Sequence, residues 1–544
     1  MNIIPFNSQM GAGVCDFLSK AYIENKRKID LKKKDSDLLD IIPNYQNNGE
    51  FWCAVDKRGE IIGTIALRKL SDCYEIRRFF VYKKYQNKGI GKELLNTLLE
   101  YAISINANKV RAAVMLEGKA VQGMFLNYGF SYTKRYNDST ADLFFELELS
   151  TSYIYNFRLN NLRKMSQTSL ILNPTENIPY HEIDTSFFEG LYVSERFKDL
   201  NDKIIFAGRN DYIKFCEYVK EIWKNKLNAS DVDLKTLSGL NAHLVLFLCI
   251  INSDESVMVL PEVCGGHFAT QKILESFGAK VYSMISDNTG MKVDREKTMN
   301  LINQINPTYI FVDRSEGLNY EDFSWIGKVK SSYKIFDASQ YFTQIITKNY
   351  PSPFEWGFDM IVSTLHKNYP GPQKGIIAVQ DKDNIVWNRY LTNAKTYISN
   401  THPMAIVNSV IPLLDEKEFV NYSETCIKCT QLLDQELRNH GVTVIPRRLE
   451  EPLTLHIWVQ CDSKESSYEY YLKLERLHLL TNYRLLPYGR GYGLRIGVSA
   501  AVRQGLLPKH ISTLASIMAY AFHNPIDETV IKKAKRLIRL IRDK

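Results

Sequence analysis

The sequence predicts an α/β protein of two domains. Residues 1–149 form an α+β domain with a mixed sheet, and residues 166–525 form a larger domain with a mainly parallel sheet. Three strand-like runs follow one another over residues 51–81, and a hairpin turn joins the first two. After residue 169, short apolar runs alternate with helix-length segments, which is typical of a parallel sheet. Residues 150–165 lack an apolar period and predict a linker, and residues 526–544 predict a basic amphipathic helix.

Composition narrows the classes of function. The chain has 544 residues, 45% of them hydrophobic, with a formal net charge of +8 that is modest and scattered. We therefore expect neither a nucleic-acid partner nor a membrane partner, and we see no signal peptide and no apolar run of membrane-spanning length. Nine cysteines, an odd number in a long chain, favour a reducing cytoplasm. The lone CxxC pair, Cys426 and Cys429, falls in a helix-like segment, so we predict no metal site.

The first domain contains a glycine loop between a strand and a helix. A strand over residues 74–81 leads into a loop with Gly89 and Gly91, and an amphipathic helix follows. The glycines let a ligand approach the backbone, and several N–H groups and the positive end of the helix dipole point at one place. Lys88 and Lys92 add positive charge. The sequence therefore predicts an anion-binding site here.

The spacing Gln86-x-x-Gly89-x-Gly91, with the closing segment at residues 125–130, resembles the GCN5-related N-acetyltransferase (GNAT) family. The resemblance covers roughly residues 1–150 and implies that the loop binds acetyl-CoA. The residues that it assigns to acetyl-CoA are Gln86, Lys88, Gly89, Ile90, Gly91 and Lys92.

The same resemblance suggests acid–base groups in the first domain. Glu75, at the start of the strand, is either the base that deprotonates the amine or a cross-strand partner of a lysine or arginine. Phe125 stands where the family usually has its tyrosine acid, and Tyr128, one turn later, is the candidate for that role. The alternative for the whole domain is a module that binds or docks without catalysis.

Lys367 is the central candidate of the second domain. It lies in a tight loop between two apolar runs, residues 358–362 and 375–379, which predict buried strands. A lysine held in this way is suited to form a Schiff base with a carbonyl cofactor. The alternative is an ordinary surface-loop lysine.

Other useful groups fall at predicted strand ends, where ligands of parallel sheets bind. Asp337 closes a strand and either pairs with a protonated ring nitrogen or caps a following helix. His267 follows two glycines and has a flat ring that could lie on a cofactor. Ser238 and Gly239 precede an apolar helix and predict a second anion site. Arg495, inside an apolar strand, predicts a partner carboxylate from the substrate.

Together these stretches resemble serine hydroxymethyltransferase, a fold-type-I pyridoxal phosphate enzyme with a smaller C-terminal subdomain. The resemblance covers roughly residues 165–525. It implies that Lys367 is the Schiff-base lysine and that His366 moves protons. The family's proton-moving glutamate is displaced in this chain, so either Ser194 or Glu195 stands at its position, and Glu195 is the candidate for that role. The resemblance also implies that Arg495 and Asn177 bind the substrate. The residues that it assigns to the cofactor are Ser238, Gly239, His267, Asp337, Gln340, Lys367 and Tyr192.

The chain departs from this family near the substrate. Gln340 replaces a second histidine, Leu240 replaces a serine of the phosphate loop, and Gln373 replaces an arginine. The segment between Leu480 and Gly493, which helps form the folate site in the family, is short and different. These departures make tetrahydrofolate a doubtful cosubstrate.

The expected function is aldol-type chemistry at Cα of glycine, serine or a β-hydroxy amino acid, with acetyl-CoA-dependent N-acetylation of an amine as a second activity, in a specialised biosynthetic pathway. Decarboxylation and transamination are the alternatives, although an arginine that clamps the carboxylate counts against decarboxylation. We expect a small amino-acid substrate and, from the resemblance, a homodimer.

Overall fold

The computed structural model describes residues 2–56, 58–180, 183–184, 203, 207–398 and 403–543. Tyr192 and Glu195, which the sequence places at the cofactor site, lie outside the described residues. The chain divides into two compact units, Met1–Lys164 and Met165–Lys544, and each is described by itself. The segment that we predict to be a linker, residues 150–165, is helical over Thr151–Thr168.

The small unit is a seven-stranded mixed sheet with helices. Its strands are β1 Asn2–Pro5, β2 Glu50–Val55, β3 Ile61–Lys69, β4 Tyr74–Val81, β5 Lys109–Val114, β6 Ser131–Tyr132 and β7 Leu143–Glu148. Its helices are α1 Gly11–Glu24, α2 Ile90–Ser104, α3 Lys119–Asn127 and α4 Thr151–Thr168, the last of which extends into the first residues of the large unit.

The strand order is β1-β2-β3-β4-β5-β7-β6, and β4 and β5 form the parallel pair. That pair is hydrogen-bonded over Tyr74 to Ile76 only, although β4 continues to Val81. The register between β3 and β4 also shifts, and Arg78 there has a positive φ of 51°. The second half of β4 is therefore free of its parallel neighbour and opens a gap in the sheet.

The large unit begins within α4 and contains the remaining elements. Its strands are β8 Leu170–Ile171, β9 Asp231–Asp233, β10 Ser256–Val259, β11 Lys280–Ser283, β12 Ser286–Asp287, β13 Lys292–Val293, β14 Tyr309–Val312, β15 Tyr333–Asp337, β16 Met360–Thr364, β17 Gly375–Val379, β18 His456–Gln460, β19 Leu479–Leu480, β20 Asn482–Leu485 and β21 Tyr492–Gly497. Its helices are α5 Asn210–Leu227, α6 Gly239–Ile250, α7 Thr270–Ser276, α8 Arg295–Ile305, α9 Ser324–Gly327, α10 Phe342–Ile346, α11 Ile385–Tyr397, α12 Pro403–Ser409, α13 Ile411–Leu414, α14 Glu416–Asn439, α15 Lys464–Arg476, α16 Ser499–Arg503, α17 Ile511–His523 and α18 Glu528–Arg542.

The main sheet has the order β11-β10-β14-β15-β16-β17-β9, in which β17 runs antiparallel to both neighbours and the other strands are parallel. Consecutive residues of β14 belong to two separate cores: Ile310 and Val312 to one, Tyr309 and Phe311 to the other. Both faces of the sheet are thus covered, as parallel sheets require. A smaller antiparallel sheet, β18-β21-β20, carries Arg495.

The C-terminal helix packs on the large unit. Asp527 caps α18 by accepting hydrogen bonds from Thr529 N and Val530 N at 2.7 and 2.9 Å. One apolar face is buried, and the basic residues lie opposite. Among the described residues, no helix combines the length and apolar character needed to cross a bilayer. The buried residues of α18 are Val530, Ala534, Leu537, Ile538 and Ile541.

Candidate active sites

Lys367 lies in the loop that joins β16 to β17, as the sequence predicts. The loop is closed by backbone hydrogen bonds of 2.8 Å from Leu365 N to Lys374 O and from Gly371 N to Leu365 O. Lys367 itself is half-buried. Its charge lowers the pKa of Asp337, His267 and His366, so these groups lie within electrostatic range of it.

Asp337 is the last residue of β15, and its carboxylate is strongly held. Oδ2 accepts a 2.6 Å hydrogen bond from His243 Nε2, and Oδ1 accepts one of 2.7 Å from Ser339 N. Burial alone would raise the pKa of Asp337, but the hydrogen bond and charge of His243, with the charge of Lys367, hold it at about 2. The helix after Asp337 begins at Phe342, so the aspartate does not cap it.

His267 follows a loop that is fixed by two glycines. Gly265 has a φ of +90°, and a Cβ there would lie 2.1 Å from Glu316 O. Burial, with the charges of His243 and Lys367, lowers the pKa of His267 to about 4. The ring is therefore neutral at physiological pH and lies edge-to-face with the His243 ring, 5.7 Å between centroids.

Ser238 and Gly239 form the N-terminus of α6. Ser238 Oγ accepts a 3.1 Å hydrogen bond from Asn241 N, and a Cβ on Gly239 would lie 2.3 Å from Thr364 Cγ2. The hydroxyls of Thr236 and Thr364 are buried nearby and have no hydrogen-bond partner within the described ranges. Buried groups that lack partners beside a helix N-terminus make an anion cradle.

Hydrogen bonds connect the segment that carries Asn177 to the Lys367 loop, which includes His366 and Asn368. Asn177 N donates to His366 O at 2.8 Å, and the Asn177 carboxamide donates to Asn368 O and to Tyr422 Oη at 3.2 and 2.9 Å. Burial and the Lys367 charge lower the pKa of His366 to about 4, and its Nδ1 has no partner in the described part of the chain.

Gln340 replaces the second histidine of the family, and the structure brings another histidine to it. Gln340 Oε1 lies 3.1 Å from His456 Nε2, and both side chains are buried. Burial, then the charges of Arg495, Arg447 and Arg484, lower the pKa of His456 well below its ordinary value.

Arg495 is buried on β21 and already has partners. Its Nη2 donates to Thr175 Oγ1 at 3.0 Å, and its Nη1 is paired with the carboxylate of Glu316. Arg484, on the neighbouring strand β20, is paired with the same Glu316 oxygen. The arginine that we expect to bind a substrate carboxylate is thus held by a carboxylate of the chain.

The sequence did not reveal His243, Glu316 or His456. His243 is the only histidine in the apolar helix α6, which was a detectable signal. Glu316 and His456 lie on a loop and on a distant strand, and no spacing relates them to Lys367. Asp313 was also missed: it follows β14, accepts a hydrogen bond from Thr270, and burial raises its pKa well above the ordinary range.

The glycine loop of the small unit lies where the sequence predicts it. Gly89 has a φ of +85° and precedes α2, whose first residue is Ile90. Gln86 Nε2 donates to Val81 O at 3.0 Å, which fastens the loop to the end of β4. Gly91 is half-buried, and an added Cβ there would lie 3.2 Å from Met124 Cε. The side chains of Lys88 and Lys92 are exposed around the loop.

Glu75 is fully buried, and four groups surround its carboxylate. Arg68 and Arg77 lie 3.0 and 3.5 Å from Oε2, and Tyr136 and Asn137 donate to Oε1 at 3.1 and 2.5 Å. Arg68 is also its cross-strand partner in the register of β3 and β4. These contacts fit the structural alternative, in which Glu75 neutralises two partly exposed arginines.

Tyr128 and Phe125 occupy different environments. Phe125 is 1% exposed and packs in the core against Phe130 and Phe145, so it has no polar role. The Tyr128 hydroxyl donates to Asn96 Oδ1 at 2.9 Å, on the second turn of α2. Burial raises the pKa of Tyr128, and the hydrogen bond with Asn96 offsets part of that rise.

Comparisons with known proteins agree with both units. Residues 15–130 match the acetyltransferase (GNAT) family model, and residues 205–518 match the serine hydroxymethyltransferase model. The chain is 26% identical to the serine hydroxymethyltransferase of Pyrobaculum calidifontis over 320 residues, which are 56% of this chain and 74% of that protein. It is 22% identical to the serine hydroxymethyltransferase of Sulfolobus acidocaldarius, with 69% of this chain and 88% of that protein covered.

A solved structure shows the same fold for the large unit. L-threonine transaldolase from Pseudomonas fluorescens aligns with a TM-score of 0.65 at 19% identity, covering 72% of this chain and 92% of that chain. The large unit therefore has the fold-type-I fold of pyridoxal-phosphate-dependent transferases. The chain belongs to the serine hydroxymethyltransferase family and carries an N-terminal GNAT acetyltransferase domain.

Proposed function

We propose that the large unit binds pyridoxal phosphate on Lys367 and catalyses aldol-type chemistry at Cα of glycine, serine or a β-hydroxy amino acid. One observation carries the proposal: the Asp337 carboxylate lies at the end of β15, accepts hydrogen bonds from His243 Nε2 and Ser339 N at 2.6 and 2.7 Å, and has its pKa lowered in part by the charge of Lys367. When bound, the cofactor supplies an electron sink for a carbanion at Cα. A fixed anion that keeps its ring nitrogen protonated is the group that this chemistry requires.

The surrounding residues fit the parts of that cofactor. The cradle at Ser238 and Gly239, with the unpartnered hydroxyl of Thr364, offers donors to a phosphate. The neutral ring of His267 offers a flat surface for stacking. His366, whose Nδ1 is unpartnered in the described ranges, can accept or donate a proton beside Lys367. We further propose that Tyr192 contacts the phosphate and that Glu195 moves protons.

Arg495 and Thr175 form the proposed anchor for the substrate carboxylate. A fixed carboxylate orients the other Cα bonds, so a single bond is aligned for cleavage. Asn177 holds the Lys367 loop through Asn368, and we propose that it also binds the substrate. We infer that the transferred unit is a small aldehyde, and that the replacement by Gln340 of the family's second histidine disfavours tetrahydrofolate as its acceptor.

For the small unit we propose acetyl transfer from acetyl-CoA to an amine. The left-handed glycine before α2 and the gap between β4 and β5 support a site for the pyrophosphate and the thioester arm. Tyr128 is the proposed acid for the thiolate. Glu75 is a less suitable base, because it is buried and two arginines neutralise it.

We also propose that the chain forms a homodimer through the large unit. Leu240, Leu244 and Leu248 recur every four residues on α6 and are 44%, 42% and 37% exposed. Phe268, beside His267, is 58% exposed. An apolar stripe that borders the cofactor cradle fits a subunit interface at the site. The nine unpaired cysteines support a cytoplasmic location.

The decisive experiment is absorbance of the purified protein with pyridoxal phosphate. We expect a visible band of the lysine-bound cofactor that disappears in Lys367→Ala, and retro-aldol or transfer products with a glycine, serine and threonine panel. A wild-type protein without this band would refute the proposal for the large unit. Acetyl-CoA consumption over a panel of amines tests the small unit independently.

A further inference from the structure

Glu316 lies between two arginines of the smaller sheet. One oxygen, Oε1, is paired with Nη1 of both Arg495 and Arg484, and Oε2 is buried without a partner among the described residues. The side chains of Arg495 and Glu316 are 6% and 7% exposed, whereas that of Arg484 is 34% exposed. The three side chains together carry one net positive charge.

The backbone of Glu316 is fixed to the loop that carries His267. Glu316 N donates to Gly265 O at 2.9 Å, and the close approach of Glu316 O leaves no room for a Cβ on Gly265. Any displacement of the carboxylate must therefore come from rotation of its own side chain. Because Oε1 already touches Arg484, a small rotation away from Arg495 keeps one charged partner.

A substrate carboxylate and Glu316 need the same donors. Arginine binds a carboxylate best through two parallel N–H groups. On Arg495, Nη1 is paired with Glu316 and Nη2 is bonded to Thr175. Glu316 and Thr175 thus occupy both donors of the fork, so an amino acid has to replace one of these contacts.

We propose that Glu316 is an internal competitor for Arg495, and that it transfers fully to Arg484 when the carboxylate of an amino acid binds. The inference rests on the proposed function and deepens it: Glu316 and Arg484 become specificity-determining residues for compact α-amino carboxylates. Between turnovers, Glu316 keeps the guanidinium of Arg495 protonated and oriented, and its carboxylate balances that positive charge. Binding then exchanges one carboxylate for another, and Arg484 accepts the displaced one.

The competitor role of Glu316 is tested by measuring how tightly the holoenzyme binds glycine. The absorbance change of the cofactor reports the binding. Glu316→Gln should bind glycine about tenfold more tightly, since one charge-assisted hydrogen bond no longer has to be exchanged. Arg484→Met should bind glycine more weakly, because Glu316 loses its alternative partner. The decisive variant is the double substitution, whose net charge equals that of wild type. We expect it to bind more tightly than wild type, and equal or weaker binding would overturn the proposal.

Glu316→Asp provides a second test, with the charge conserved. The shorter side chain cannot span both arginines, so glycine should bind more tightly, and unchanged or weaker binding contradicts the competitor role. Glu321→Gln is the matched control, because it breaks another buried pair, Arg314 with Glu321, away from the anchor. Glycinamide, which lacks the carboxylate, should bind all variants alike. If wild type shows the cofactor band and binds glycine but the double variant gains nothing, the competitor role alone fails; absence of the band removes both proposals.

Discussion

Gly239 and Gly89 lie at the N-termini of two helices, α6 and α2, and each helix needs its glycine for a different reason. Gly239, the first residue of α6, is buried, and the side chain of Thr364 fills the space where its Cβ would lie. Gly89, just before α2, is exposed and has open space around it, but its φ of +85° is one that residues with a Cβ rarely adopt. Packing selects the first glycine, and backbone conformation selects the second.

The difference matches what each cradle is proposed to hold. The cradle at Gly239 is enclosed by β16 and bordered by buried hydroxyls, which suits a cofactor that stays bound through many turnovers. The cradle at Gly89 lies among exposed lysines, and Lys88 Nζ is 5.0 Å from the centroid of the Tyr85 ring. An open, positively charged rim suits a cosubstrate that must leave after each reaction.

The largest expected effect comes from the buried anion beside the enclosed cradle. Asp337→Asn should lower the rate of Cα chemistry on the order of 10²–10³-fold, because a fixed charge in a dry site is replaced by a neutral amide. The cofactor band should persist, since Lys367 is intact. Steady-state kinetics of retro-aldol cleavage measures the effect.

Asp233→Asn is the matched control for that substitution. Asp233 is likewise an aspartate at the end of a strand, and its Oδ1 accepts from Lys235 N just as Asp337 Oδ1 accepts from Ser339 N. We expect little change in rate for Asp233→Asn. Equal losses in both variants would show that the effect at Asp337 is structural.

Gly239→Ala tests whether cofactor binding at the Gly239 cradle requires a residue without a side chain at this position. The new methyl group would meet Thr364 Cγ2 at 2.3 Å, and relieving such overlap costs about 1–3 kcal/mol. We expect cofactor affinity to fall about 5- to 150-fold, measured by titrating apoprotein with pyridoxal phosphate. Gly11→Ala, at the first residue of α1 with nothing within 4 Å, should leave that affinity unchanged. Wild-type affinity in Gly239→Ala would contradict the packing argument.

Gly89→Ala tests the open cradle, where space is not the constraint. Holding alanine in the left-handed region costs about 1–2 kcal/mol, so acetyl-CoA affinity should fall roughly 5- to 30-fold by calorimetric titration. Gly59 has a φ of +79° and nothing within 4 Å, but it lies in the β2–β3 turn. Gly59→Ala should therefore lose the same stability and keep its affinity. If Gly89→Ala and Gly59→Ala bind acetyl-CoA equally well, the loop at Gly89 does not contribute to the acetyl-CoA site.

Much of this arrangement could be predicted from the sequence, because it is local. The Lys367 loop, the cap at Ser238 and the glycine before α2 each lie within a few residues of the strand or helix that positions them. Groups that meet only through the sheet could not be found in this way. His243 reaches Asp337 across 94 residues, and Arg495 reaches Glu316 across 179. Glu75 illustrates the same limit: the sequence leaves its role open, and only the fold brings Arg68 and Arg77 beside its carboxylate.

The smallest expected effect is a difference between the two units in how their folding stability depends on pH. All ten histidines of the chain lie after residue 164, so only the large unit can respond through them. The folded-state pKa values of His267 and His366 are about 4, below the ordinary 6.5. Between these values the unfolded chain binds more protons than the folded one, so stability present above pH 6.5 is lost as the pH falls toward 4.

Each such histidine contributes at most about 1.4 kcal/mol per pH unit in that window, and less where water reaches the ring. Urea unfolding of the apoprotein at pH 7, 6 and 5 should therefore show a falling midpoint, and His267→Phe should flatten the slope by up to one proton. The small unit, observed through Trp52, should keep its midpoint over the same range, since it contains no histidine. A slope unchanged by His267→Phe would mean that this ring is not held neutral, and the stacking surface proposed for the cofactor would then need another residue.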